Sequence, residues 1–171
     1  MKKIIVLYRS KTGFSKRYAE WIAEDLACEC RSITGIQLDD LKDYEMVIYG
    51  AGVYAGMIAS AGKIKNWIGK SPEKTWVVFA TGASPHDEAY EEMLFKTNFR
   101  KGESRPAHFY YYLAGINYEK MGFFNRVLMK FFSSMSAKKD GTTQPSKPAS
   151  VDLANRVYIE ELLSYVRLKA R

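Results

Sequence analysis

The sequence predicts an α/β fold built on a doubly wound parallel sheet. Three observations carry that expectation. Short apolar runs of buried-strand length recur at residues 3–8, 46–49 and 75–80, the last reading TWVVFA. Segments of helical period stand between them, and such alternation places helices on both faces through right-handed crossovers. Each run also ends in glycine or hydroxyl residues, as strands do where they meet a ligand-binding edge.

The elements follow in order. Residues 3–8 read as the first strand. Residues 15–27 read as a helix, with Tyr18, Ile22 and Leu26 on one face and Trp21 beside it. A short strand at 30–33 and a turn at 41–44 precede the third strand, 46–49, which Gly50 is expected to end. A helix at 59–68 directs Ile64, Trp67 and Ile68 inward. The fourth strand is 75–80, followed by a helix at 87–97. Residues 109–116 read as a fifth strand, with the YYY of 110–112 suited to a sheet. A final helix is expected over 151–168, with Leu153, Val157, Leu162 and Val166 near one stripe. Residues 117–136 add a further helix, and the polar, Pro- and Lys-rich stretch after it, to residue 150, reads as an exposed loop.

The chain has 171 residues, 47% of them hydrophobic and 26% charged, which suits one globular domain spanning 1–171. The apolar stretch near the start is too short for a signal peptide, and no run approaches the ~18 residues of a membrane span. Cys28 and Cys30 lack a His/Cys partner cluster, so a structural role in a reducing, cytoplasmic compartment is expected, without a metal. The net charge of +7 points to an anionic partner. No zinc knuckle, RNP motif or continuous basic stripe accompanies it, so nucleic acid is not expected.

The stretch RSKTGFS leaves the first strand and enters the first helix. Unpaired N–H groups and the helix dipole favour an anion there. Ser10, Thr12 and Ser15 add hydroxyls, and Gly13 lets the backbone curl. Two readings fit these residues: a phosphate cradle, or an N-cap with a turn glycine. The stretch matches neither G-x-x-x-x-G-K-[ST] nor G-x-G-x-x-G. Two more loops meet the same edge: GAGVYAGM at 50–57, where Tyr54 can lie against a ring, and ATGASPHDE at 80–88. Three such loops suit one ligand with a phosphate at one end and a planar ring at the other. His86 in the third loop is a candidate proton shuttle or an exposed loop histidine; Asp87 and Glu88 read as first-turn helix acids.

YRSKTGFSK at 8–16 resembles the FMN phosphate loop of flavodoxins, and GAGVYAG at 50–56 resembles their second flavin loop. The resemblance implies a flavodoxin-like five-stranded sheet of order 2-1-3-4-5, with a helical insertion at about 117–150. It also implies FMN as cofactor, held by Ser10, Lys11, Thr12, Gly13, Phe14 and Ser15, by Ala51, Gly52, Val53, Tyr54, Ala55 and Gly56, and by Thr81, Gly82 and Ala83. One branch, the menaquinone-dependent protoporphyrinogen dehydrogenases of flavodoxin type, is similar over AGINY at 114–118 and FFNRVLMKFFSSMS at 123–136. That branch implies heme biosynthesis, a porphyrinogen-like substrate and a quinone acceptor. The chain departs from it in carrying Tyr54-Ala55-Gly56 where the branch has Arg-Tyr-Gly, and in its third loop.

The insertion carries an apolar stripe: Phe123, Phe124, Val127, Leu128, Phe131, Phe132 and Met135, beside Arg126 and Lys130. It reads as a core-facing helix over the sheet edge, as a peripheral contact with the inner face of the cell membrane, or as a wall of an apolar substrate site. Phe123, Phe124, Arg126, Lys130 and Phe131 are the candidate substrate or membrane contacts. A basic surround raises the potential of a bound flavin, which favours accepting electrons from a substrate. Three functions stand: an FMN-dependent oxidoreductase, a flavodoxin-type electron carrier serving a partner redox protein, and an interaction module without flavin.

Overall fold

The computed structural model describes residues 2–85, 87–100, 104–116 and 150–170. Its strands are β1 (Ile4–Arg9), β2 (Glu29–Ser32), β3 (Met46–Tyr54), β4 (Met57–Ile58), β5 (Thr75–Gly82), β6 (His108–Leu113), β7 (Gly115–Ile116) and β8 (Val151–Asp152). The helices are α1 (Phe14–Leu26), α2 (Ala61–Lys70), α3 (Glu88–Asn98) and α4 (Glu160–Lys169), with 3-10 turns at Leu38–Leu41 and Arg156–Ile159.

The main sheet runs β2-β1-β3-β5-β6, all parallel, with β4 folded back on β3. Counting the five parallel strands in sequence, this is the expected order 2-1-3-4-5. The expected insertion lies almost wholly outside the described residues.

Strand alternation explains the two cores. Ile4, Val6, Met46, Ile48, Val77 and Phe79 point to the face covered by α1 and α4. Ile5, Leu7, Val47, Tyr49, Val78 and Ala80 point to the face covered by α2 and α3. Both faces of each central strand are buried, so the sequence reads as unbroken apolar runs with no polar alternation. On α1, Tyr18 and Ile22 are buried and Leu26 packs at the margin, as the helical period predicts. Cys28 and Cys30 are free and half-buried, and burial pushes both thiols up to about 11. That leaves them protonated and poorly nucleophilic, in keeping with a structural role.

Three expectations about elements are corrected. Gly50 does not end β3, which continues to Tyr54. The glycine is there for packing: a Cβ at Gly50 would stand 1.8 Å from Phe79 Cζ on the neighbouring strand. The fifth strand does not run through to 116. It stops at Leu113, and after Ala114 the chain starts the separate β7, paired antiparallel with β8. The last helix does not begin at 151. Residues 151–152 form β8, Asn155 accepts from Val157 N at 3.0 Å to cap the 3-10 turn, and α4 starts only at Glu160. Accordingly Val151, Leu153 and Val157 are exposed.

The Gly50–Phe79 contact makes a measurable demand. Gly50→Ala is expected to lower unfolding free energy by about 1–3 kcal/mol through overpacking. Phe79→Leu in the same chain recovers part of that loss, a coupling readable by chemical denaturation.

Candidate functional site

All three candidate segments gather at the carboxyl edge of the sheet. Ser10, Lys11, Thr12 and Gly13 connect β1 to α1, and Phe14 and Ser15 open the helix. Gly13 holds the N-cap position at φ 98, a left-handed conformation that favours glycine, and Ser10 Oγ accepts from Gly13 N at 3.0 Å. The first helical bond runs from Arg17 N to Gly13 O at 3.0 Å. The amides of Phe14, Ser15 and Lys16 come before it, no side chain caps the helix, and its first turn has no acid. The N-cap reading of Ser15 is therefore corrected: Ser15 lies inside the helix.

Ser15 Oγ is buried and shares a 2.8 Å hydrogen bond with Thr81 Oγ1, joining the first segment to the third. Lys11 Nζ sits 4.8 Å from the centre of the Tyr54 ring, joining the first to the second. The expected second loop is mostly strand. Ala51 and Gly52 are buried in β3, with Ala51 opposite Arg9 and Ala80, and Gly52 opposite Thr81. Val53 and Tyr54 are half-buried and pair with Ile58 and Met57. Ala55 and Gly56 make the turn, at φ 49 and 79, as a tight primed hairpin requires. Thr81 and Gly82 end β5, and Ala83 follows in an exposed position.

Several contacts that hold this arrangement gave no signal in the sequence reading. Asn98 is fully buried at the end of α3. Its Oδ1 accepts from Ile58 N at 2.8 Å, and its Nδ2 donates to Gly56 O at 3.0 Å and Leu94 O at 2.9 Å. Tyr111 Oη donates to Ser84 O at 2.9 Å and steadies the third segment. Arg17 makes a bidentate pair with Asp152 at 2.8 and 2.6 Å. That pair holds the Asp152 carboxyl below its ordinary range and ties α1 to β8. Tyr18 Oη donates to Leu113 O at 2.6 Å and accepts from Asn155 N at 3.1 Å, tying the same helix to the end of β6 and the start of the 3-10 turn. Such long-range polar contacts have no sequence spacing by which to find them.

A cavity of about 370 Å³ beside the first segment is walled by Thr12, Gly13, Phe14, Arg17, Val151 and Asp152. Glu88 lies in the first turn of α3, as the helix-acid reading expects, while Asp87 stands just before it as the N-cap, its carboxylate accepting from Tyr90 N at 2.7 Å. His86 lies outside the described residues, as do Phe123, Phe124, Arg126, Lys130 and Phe131. Among the described residues no cluster suits a metal ion, and no helix is long and apolar enough to cross a membrane.

A family model described as a flavodoxin domain matches residues 5–143, most of the chain. The chain belongs to the flavodoxin domain family. Solved structures similar to this flavodoxin-domain chain include a flavodoxin from the domain Archaea, 19% identical, covering 65% of this chain and 82% of that one, with a TM-score of 0.48. Flavodoxin 2 from Bacillus cereus is 16% identical, with coverage of 64% and 83% and a TM-score of 0.48. A flavoprotein in complex with FMN from Lactobacillus acidophilus NCFM is 17% identical, with coverage of 65% and 93% and a TM-score of 0.44. The comparison with curated proteins finds no match.

Asn98 gives the site a direct test. Asn98→Ala leaves Ile58 N–H and Gly56 C=O without their partner, at an expected cost of about 1–3 kcal/mol. Amide exchange at Ile58 should accelerate more than exchange in β1, which Asn98 does not touch.

Proposed function

We propose that this chain is an FMN-dependent oxidoreductase whose cofactor sits across the carboxyl ends of β1, β3 and β5. The observation that carries the reading is the joining of the three segments, Ser15 to Thr81 and Lys11 to Tyr54, in a chain of the flavodoxin domain family. The donor set fits the group. Three helix-start amides without a side-chain cap, a first turn free of acids and the Thr12 hydroxyl suit a phosphate monoester. The half-buried Tyr54 ring and the small residues Gly82 and Ala83 suit a flat ring system. One phosphate cradle without a dinucleotide glycine fingerprint favours FMN over FAD or NAD.

When bound, FMN would supply the redox chemistry, and the chain's residues bind, orient and screen it. Amides 14–16 hold the phosphate, with Lys11 adding positive charge next to the Tyr54 ring. Asn98 fixes the hairpin behind the ring, and Tyr111 fixes the third segment through Ser84 O. Thr81 keeps Ser15 in place, so its hydroxyl positions the first helical turn.

The finer reading follows the resemblance at 114–118 and 123–136. Electrons pass from a flat reduced substrate of porphyrinogen type to a quinone, in a cytoplasmic protein that touches the membrane peripherally through 123–131. Its support is the sequence of the insertion and the placement of its two ends, β7 and β8, next to α1 through the Arg17–Asp152 pair. The shared flavodoxin domain supports a second reading, a carrier that serves a partner redox protein.

Two tests follow. Thr12→Ala is expected to weaken FMN about tenfold, as read by flavin titration. Mass spectrometry of the cofactor released from wild-type protein should show FMN; FAD as the main species contradicts the assignment. For the finer reading, anaerobic protoporphyrinogen should bleach the flavin and a menaquinone analogue restore it. Bleaching only by a partner reductase favours the carrier.

A further inference from the structure

The Tyr54 ring, which suits the flat end of the proposed cofactor, has two neighbours of different kinds. The first is fixed backbone. A Cβ at Gly52 would stand 3.0 Å from Tyr54 Oη and 3.1 Å from its Cε2, so the ring folds back onto the buried end of β3, where Gly52 is paired with Thr81. The second is a side chain. The Lys11 ammonium lies over the ring, 4.8 Å from its centre. Lys11 is exposed, so its charge comes to the ring from the solvent side.

The first segment therefore meets Tyr54 twice. Besides the ammonium over the ring, the Lys11 backbone N–H faces the phenol oxygen. Burial pushes that phenol above its ordinary value, while Arg9 and the Lys11 N–H favour its charged form. Among the described residues no carboxylate forms an ion pair with Lys11.

An aromatic face takes one partner at a time. Stacked rings stand roughly 4.5–7 Å apart between centres, so the Lys11 ammonium occupies the layer that a stacked ring would need. Gly52 cannot yield, because it is built into the sheet. Lys11 can, because it is an exposed side chain on a connection. It also stands next to Thr12 and Gly13, in the segment whose helix-start amides suit a phosphate. A charge released from the ring thus has an anion to serve within its own segment.

We propose that Lys11 is the gate of the flavin seat: its side chain covers the stacking face of Tyr54, and yields that face to a flat ring as its charge moves to the phosphate. The gate rests on the FMN reading and adds a means of selection, since a flavin with a phosphate offers Lys11 a new partner and one without it does not. The test titrates riboflavin and FMN into the flavin-free full chain, in buffer without phosphate or sulfate. Lys11→Ala should tighten riboflavin roughly two- to five-fold, the scale of one exposed cation–π contact. Lys11→Arg, whose planar guanidinium stacks better on a ring, should weaken it. For FMN the lost phosphate contact offsets the gain in Lys11→Ala, so the preference for FMN over riboflavin falls. In ¹³C-labelled chain the Lys11 ε-methylene should resonate upfield without flavin, and lose that shift both in Tyr54→Leu and when FMN saturates the wild type. Riboflavin affinity that is unchanged or lower in Lys11→Ala, or an upfield Lys11 signal that persists with FMN bound, would overturn the gate and leave the FMN reading standing. A wild-type chain that binds neither flavin would overturn both.

Discussion

The structure depends on one constraint: β3 is covered on both sides and bonded on both edges. It pairs with β1 and β5, carries Met46 and Ile48 to one core and Val47, Tyr49 and Ala51 to the other, and leaves no room for a side chain at Gly50. A strand so enclosed must be apolar throughout. Its polar business is deferred to its end, where β1 and β5 also end. The candidate site is a consequence of that arrangement: the parallel strands finish together, so their loops meet.

What meets there is held by contacts across the sheet. The buried Ser15–Thr81 bond and the Lys11–Tyr54 contact join segments far apart in sequence. Behind them, Asn98 satisfies three backbone groups of the hairpin and its own helix, and Tyr111 holds the segment after β5. Buried polar groups of this kind are costly unless paired, so once paired they fix one geometry. The helix start facing this edge keeps its first amides uncapped, which suits it to an anion.

The sequence was most legible where a single physical rule governs. The continuous runs of β1 and β5 and the helical stripe of α1 match the structure closely, because burial on both faces or along one stripe leaves a periodic trace. It misled where one residue type serves two purposes. Gly50 reads as a terminator, yet it answers to the Phe79 ring on the next strand. Residues 151–159 hold apolar residues at helical spacing, yet Asp152 is drawn to Arg17 and Asn155 caps a 3-10 turn, so the helix starts later. The second loop was located correctly along the chain but read as loop, although most of it is strand ending in a two-residue turn. Asn98, at the end of a surface-seeming helix, left no trace, since its three partners are set by tertiary structure. The stripe at 123–135 falls outside the described residues, and its role stays with the sequence reading.

The central claim is that the ends of β1, β3 and β5 form one flavin seat. Hydrogen exchange of the apo chain, measured with and without FMN, tests it most directly. The account predicts that FMN slows exchange together at residues 10–16, 52–58 and 81–84, and leaves the opposite edge of the sheet unchanged. Protection confined to one of those segments, or appearing at the amino ends of the strands, would contradict it.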